Sequence, residues 1–165
     1  MVSMETALKR LPRLRSAAAP DLESHLGYWL RRVSNHASGA FARALQTRHI
    51  SVAEWVVMCH VQKCPGITPG EVAEMLDLTR GAVSKVIDKL EAKKWIARST
   101  KPQDGRVQLL SLTRLGNRIV PELAEIANQN DRQFFEGLDP EGRATLRRLL
   151  SKLTELHQIR NMPIE

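Results

Sequence analysis

Apolar residues recur at intervals of three and four from Asp21 onward. Leu22, Leu26, Trp29, Leu30, Val33, Ala37, Ala40, Phe41, Ala44 and Leu45 follow a helical period, with Arg31, Arg32, Ser34 and Arg43 mostly between them. The spacing predicts a long helix beginning at Asp21 within residues 21–50. Residues 52–63 repeat the pattern more briefly, and Pro65-Gly66 ends it. Thr68-Pro69-Gly70-Glu71 has the spacing of a capping box, with Pro at the first helical position. Val72, Ala73 and Leu76 then form one apolar face of a short helix. Asp77-Leu78-Thr79 predicts a turn with Thr79 as the next N-cap. The helix after it turns Val83, Val86, Ile87 and Leu90 inward and Arg80, Ser84, Lys85, Asp88 and Lys89 outward.

Beyond Lys94 the period falls from about 3.6 to 2. Trp95 to Thr100 and Val107 to Leu112 read as two strands, joined by the turn residues Pro102-Gln103-Asp104-Gly105. Thr113 opens a further long helix through Ile119, Val120, Leu123, Ile126 and Ala127 toward Phe134 and Phe135. Asp139-Pro140-Glu141 starts a last helix carrying Leu146, Leu149, Leu150, Leu153 and Leu156. The predicted class is mainly α with a small β-hairpin wing: a winged helix-turn-helix flanked by long N- and C-terminal helices. The division is a flexible basic arm over 1–20, an N-terminal helix over 21–50, the winged helix-turn-helix over 51–114 and C-terminal helices over 115–165.

Composition narrows the class. The chain has 165 residues, 42% hydrophobic and 26% charged, which is globular rather than disordered. No apolar run approaches the roughly 18–20 residues of a membrane span. No signal-peptide pattern opens the chain, and two cysteines cannot build a disulfide scaffold, so a cytoplasmic protein is expected. The net charge of +7 is unevenly placed. Residues 79–114 hold Arg80, Lys85, Lys89, Lys93, Lys94, Arg98, Lys101, Arg106 and Arg114 against Asp88, Glu91 and Asp104. Residues 1–19 hold a second, smaller excess, and the rest is near balance. A concentrated basic segment points to a polyanion, against the plain alternative of a solvated basic surface.

Helix, tight turn, basic helix and basic hairpin together suit duplex DNA. A major groove about 12 Å wide admits one helix, whose first residues reach base edges. Arg80, Ser84 and Lys85 occupy that position, and Gly81 is small enough for close approach. Arg106 at the hairpin tip is placed for a minor groove. Arg98 and Lys101 fall where a hairpin meets phosphates, and Asp104 is expected to hold Arg98 or Arg106 by a bidentate pair. Thr68, Thr79 and Lys89 complete the candidate DNA-binding set.

These residues carry a resemblance. Glu71-Val72-Ala73-Glu74-Met75-Leu76, Ala82-Val83-Ser84, Leu90-Glu91, Ile96 with Arg98, Asp104-Gly105-Arg106 and Leu112-Thr113 with Gly116 resemble the winged helix-turn-helix of the MarR family of bacterial transcription regulators. The Asp-x-Arg before Leu-Thr-x-x-Gly is its most specific part. One departure stands out. Lys94 occupies a position where the family usually has Gly, so either a left-handed lysine is strained by roughly 1 kcal/mol or the turn differs.

The resemblance implies a homodimer built by the terminal helices, a double-stranded DNA partner with a pseudo-palindromic operator, and repression as the mode of action. The leucines of the last helix suit such an interface, the alternative being that they pack on this chain's own core. It also implies a crevice for a small effector such as an anionic aromatic acid. Candidate liners are Tyr28, Trp29, Arg32, His36, Trp55 and Cys59, although aromatics at helical spacing are more often core. Cys59, His60 and Cys64 raise thiol sensing or a metal-responsive regulator, but no second ligand pair accompanies them, and no metal or cofactor is expected. No catalytic motif is present, so an enzyme is not expected. A protein-interaction module on the same fold would not need Arg80, Lys85 and Arg106 together.

Overall fold

The computed structural model describes residues 21–101 and 104–160. The basic arm of residues 1–20 and the Pro102-Gln103 turn therefore lie outside the described residues. The chain divides into two units, Met1–Val33 and Ser34–Glu165.

In the first unit the helix does not run on from Asp21. The Asp21 carboxylate caps a 3-10 turn, Leu22–Ser24, and His25 is extended before α1 (Leu26–Gln46) begins. An Asp that accepts a backbone N–H two residues on competes with helix formation, which moves the start. Trp29 Nε1 donates to the Glu23 carbonyl at 2.8 Å, Tyr28 meets Trp29 edge-on, and Arg32 stacks on the Trp29 ring.

The second unit contains the rest of α1, then α2 (Val52–Lys63), α3 (Pro69–Leu76) and α4 (Arg80–Ala92). An antiparallel hairpin follows, β1 (Ile96–Lys101) and β2 (Asp104–Leu112), and then α5 (Arg114–Phe134) and α6 (Pro140–Leu156). The caps fall where the sequence put them. Thr68 and Glu71 close the capping box of α3, Thr79 caps α4, Thr113 caps α5 and Asp139 caps α6. One core serves α2, α3, α4, the hairpin and α5. Val57, Met58, Val61, Val72, Val83, Ile87, Leu90, Leu110 and Leu123 are all fully buried in it. Ile67 adds a third short rung to the hairpin. The Gly66 N–H donates to Leu110 O at 2.8 Å, and the Leu110 N–H donates to Ile67 O at 2.9 Å.

The end of α4 explains two residues of the Leu-Thr-x-x-Gly stretch. Lys94 does adopt the left-handed conformation, at φ 59°. Its N–H donates to Glu91 O and that of Trp95 to Leu90 O, the paired bonds of a Schellman stop. Thr113 Oγ1 donates to the Lys94 carbonyl at 2.6 Å and accepts from the Gly116 N–H at 3.0 Å. A Cβ on Gly116 would lie 2.1 Å from the Trp95 carbonyl oxygen, so only glycine lets α5 pass that close.

The leucines of α6 do not pack on this chain's core. Among its described residues none is buried, and Leu149, Leu150, Leu153 and Leu156 are 40–64% exposed.

Two outcomes test the α4 exit. Lys94→Gly should raise stability by about 1 kcal/mol, because glycine pays no Cβ penalty at positive φ. Gly116→Ala should lower it by about 3 kcal/mol through the backbone clash. Urea unfolding followed by far-UV circular dichroism measures both.

Candidate nucleic-acid interface

The exposed start of α4 is built by its cap. Thr79 Oγ1 accepts the Ala82 N–H at 3.2 Å, which turns the first helical residues into solvent. Val83, Ile87 and Leu90 are buried, so Arg80, Gly81, Ser84, Lys85 and Lys89 share the outer face. The side chains of Arg80, Ser84, Lys85 and Lys89 have no partner among the described residues. Space around Gly81 is open: a Cβ there would meet nothing within 4 Å. Its smallness therefore serves no packing need among the described residues.

Thr68 is spent differently. Its hydroxyl donates to Glu71 Oε2 at 2.8 Å and accepts the Glu71 N–H at 3.2 Å. The Thr68 N–H and hydroxyl bonds hold the Glu71 carboxyl below its ordinary range.

On the wing, Lys101 and Arg106 are exposed. Asp104 Oδ1 accepts the Arg106 backbone N–H at 3.1 Å. The expected bidentate pair from Asp104 to Arg98 or Arg106 is not formed. The strand register gives the reason: Arg98 lies opposite buried Leu110, on the face turned toward α4. Its guanidinium meets Asp88 and Glu91, each at 2.6 Å, and so joins the hairpin to the outer turns of α4.

One site residue went unread in the sequence. Glu54 is 4% exposed, the one buried charged residue among those described. It closes a capping box with Ser51, the same spacing that marks Thr68 and Glu71. Its Oε1 also receives Lys93 Nζ at 2.5 Å, and that ammonium donates to the His49 carbonyl at 2.6 Å. Burial raises the Glu54 pKa, but the bonds from Lys93 and Ser51 outweigh it and hold the carboxyl below its ordinary range.

The six candidate ligand-lining residues are divided. Tyr28, Trp29 and Arg32 belong to the first unit, where Arg32 also faces Glu23 at 4.0 Å. In the second unit His36 lies against the Phe134 ring, while Trp55 lines an open crevice of about 430 Å³ with Phe41, Val52 and Val56. Cys59 is half-buried, and burial pushes its thiol up to about 11. Cys64 is exposed. Both ring nitrogens of His60 are buried without a hydrogen-bond partner, and burial, then Lys63, lowers its pKa. Among the described residues no three His, Cys, Asp or Glu side chains cluster as metal ligands, and no helix is long and apolar enough to cross a membrane.

A capped basic helix after a tight turn, backed by a hairpin with a cationic tip, defines a winged helix-turn-helix DNA-binding protein. Residues 50–108 match the family model of the MarR family, and the chain is similar to transcription regulators of that family. Over 129 residues it is 28% identical to the multiple antibiotic resistance protein MarR of Escherichia coli, covering 78% of this chain and 90% of that one. It is similar to the crystal structure of a single-residue variant of E. coli MarR complexed with operator DNA. The TM-score is 0.68 at 28% identity, over 78% of this chain and 92% of that one. It is also similar to BpsR of Bordetella bronchiseptica, whose structure concerns regulation of DNA binding by 6-hydroxynicotinic acid. There the TM-score is 0.71 at 27% identity, over 82% and 97% of the two chains.

The buried carboxylate gives a pH-dependent expectation. Because the folded Glu54 pKa lies below its ordinary value, its stabilisation is complete above the unfolded value of about 4.3 and is lost as pH falls through the folded one. Glu54→Ala should cost about 3 kcal/mol at pH 7, since it strands the Lys93 ammonium. The gap between wild type and variant should shrink on acidification below about pH 4.5. Chemical denaturation of both proteins between pH 3 and 8 measures it.

Proposed function

We propose that the protein is a homodimeric repressor of a pseudo-palindromic operator, acting in the cytoplasm and released by a small anionic aromatic ligand. The observation that carries the DNA-reading part is the outer face at the start of α4. Arg80, Ser84 and Lys85 stand there exposed and unpartnered among the described residues, with Arg106 exposed on the wing. Exposed cations without a partner among the described residues suit neutralising phosphates or donating to guanine acceptors. The operator complex of the E. coli relative supports this use of the fold.

The row of exposed leucines on α6 supports the dimer. Two copies related by a two-fold axis would present two recognition helices to half-sites roughly 34–36 Å apart. The crevice at Trp55 supports a ligand, and regulation of BpsR by 6-hydroxynicotinic acid supports the aromatic-acid class. Thiol sensing is disfavoured at Cys59. With its pKa at about 11, only on the order of one thiol in ten thousand is ionised at neutral pH.

Arg80→Ala and Lys85→Ala should each weaken binding to the DNA flanking the protein's own coding region by about 1–3 kcal/mol and relax its sequence preference. Arg106→Ala should weaken it as well. Gel-shift titration checks all three, and unchanged binding in the whole set would remove the recognition-helix assignment. Light scattering at micromolar concentration should give twice the mass of one chain. Leu150→Asp with Leu153→Asp should bring it to one chain's mass, because four carboxylates cannot be buried face to face.

A further inference from the structure

Lys93 sits in the basic segment, four residues after Lys89, yet its side chain turns inward. Nζ donates to Glu54 Oε1 and to the His49 carbonyl, and lies 5.1 Å from the centre of the Trp95 ring. Three helix ends meet at this one ammonium. His49 follows α1 and has φ 56°, which turns its carbonyl out of the helix. Glu54 belongs to the first turn of α2, fixed by its own capping box. Lys93 is the C-cap of α4 itself.

α4 has 13 residues, so its reading end lies about 20 Å from this anchor at 1.5 Å per residue. A small tilt at the capped end becomes a larger displacement at Arg80 and Lys85. The Arg98 clamp on Asp88 and Glu91 ties the wing to the same half of α4, so the wing follows that tilt.

We propose that the Glu54–Lys93 pair aims the recognition helix: Lys93 is a positioning residue acting through the end of α4, not a phosphate contact. This rests on the reading of α4 as the DNA-reading helix. Glu54 is the partner that makes the device work, because its carboxylate is removed from water and accepts the ammonium in one geometry. The consequence is selective. Loss of the pair spoils alignment with a specific site, where base-edge donors must register. It leaves phosphate attraction to any duplex nearly intact.

The test compares Glu54→Gln, Lys93→Met, their combination and Lys89→Ala with wild type. Glu54→Gln keeps a side chain able to close the Ser51 cap, so α2 retains its start. Binding is followed by fluorescence anisotropy over a salt series below the melting transition. The probes are a duplex of the DNA flanking the coding region and a scrambled duplex of the same composition. Glu54→Gln and Lys93→Met should each lower affinity for the native duplex about tenfold. They should leave the scrambled duplex and the salt slope unchanged, and the double variant should lose no more than either single one. Lys89→Ala, by contrast, should weaken both duplexes and reduce the slope by about 0.9 per lost phosphate contact. Lys93→Met behaving like Lys89→Ala would make Lys93 a phosphate contact and overturn the proposal. Native affinity in both Glu54→Gln and Lys93→Met would overturn it too. Wild-type protein that does not prefer the native duplex would overturn the DNA reading itself, and the proposal with it, a failure distinguishable from the other two.

Discussion

A carboxylate removed from water needs a cation and a full set of donors, or it neutralises instead. Glu54 has both: the Ser51 N–H, at 2.8 Å, and the Lys93 ammonium. That requirement couples parts of the chain that are otherwise independent. The ammonium reaches Glu54 only if α4 ends where it does. It reaches the His49 carbonyl only if the turn after α1 is left-handed there. The stop of α4, the start of α2 and the turn between α1 and α2 are therefore one structural decision.

The same stretch of backbone fixes the wing. Lys94 takes positive φ to complete the Schellman stop, and its carbonyl is then available to the Thr113 hydroxyl. Gly116 brings the first turn of α5 against the Trp95 carbonyl. So the strand leaving α4 and the helix following the hairpin are stitched at the base of the wing, while Arg98 stitches the hairpin to α4 further along. A wing so attached can tilt with its helix but has little freedom to move alone. The proposed reading of two grooves at once would require this, since groove spacing on the duplex is fixed.

Local chemistry made much of this legible in the sequence. The helix over 52–63, the Thr68 capping box, the Thr79 cap and the hairpin each follow from spacing over a few residues, and each is present. Lys94 stood out because a lysine occupied a place suited to glycine, and it does take the left-handed conformation. What sequence could not give was direction across space. Glu54 and Lys93 are 39 residues apart, and nothing local to either names the other, although Ser51-x-x-Glu54 repeated a pattern already read at Thr68. Arg98 was read with Lys101 as meeting phosphates; the register opposite Leu110 instead turns it toward Asp88 and Glu91. The leucines of α6 admitted two readings until their exposure showed that this chain's core does not claim them.

The fate of the charge follows from these directions. Lys93 and Arg98 were part of the basic excess, yet both are committed internally, to Glu54 and to Asp88 with Glu91. Two of the segment's three acids, Asp88 and Glu91, thus do not offset the outward cations, because they are occupied by a cation that faces them. The cations without partners among the described residues include Arg80, Lys85 and Lys89 along α4 and Lys101 and Arg106 on the wing. On the proposed reading, attraction to DNA is concentrated on surfaces whose orientation is set from inside by two cations that do not reach it. That reading assigns affinity and alignment to different residues of one basic segment, so mutation should separate them.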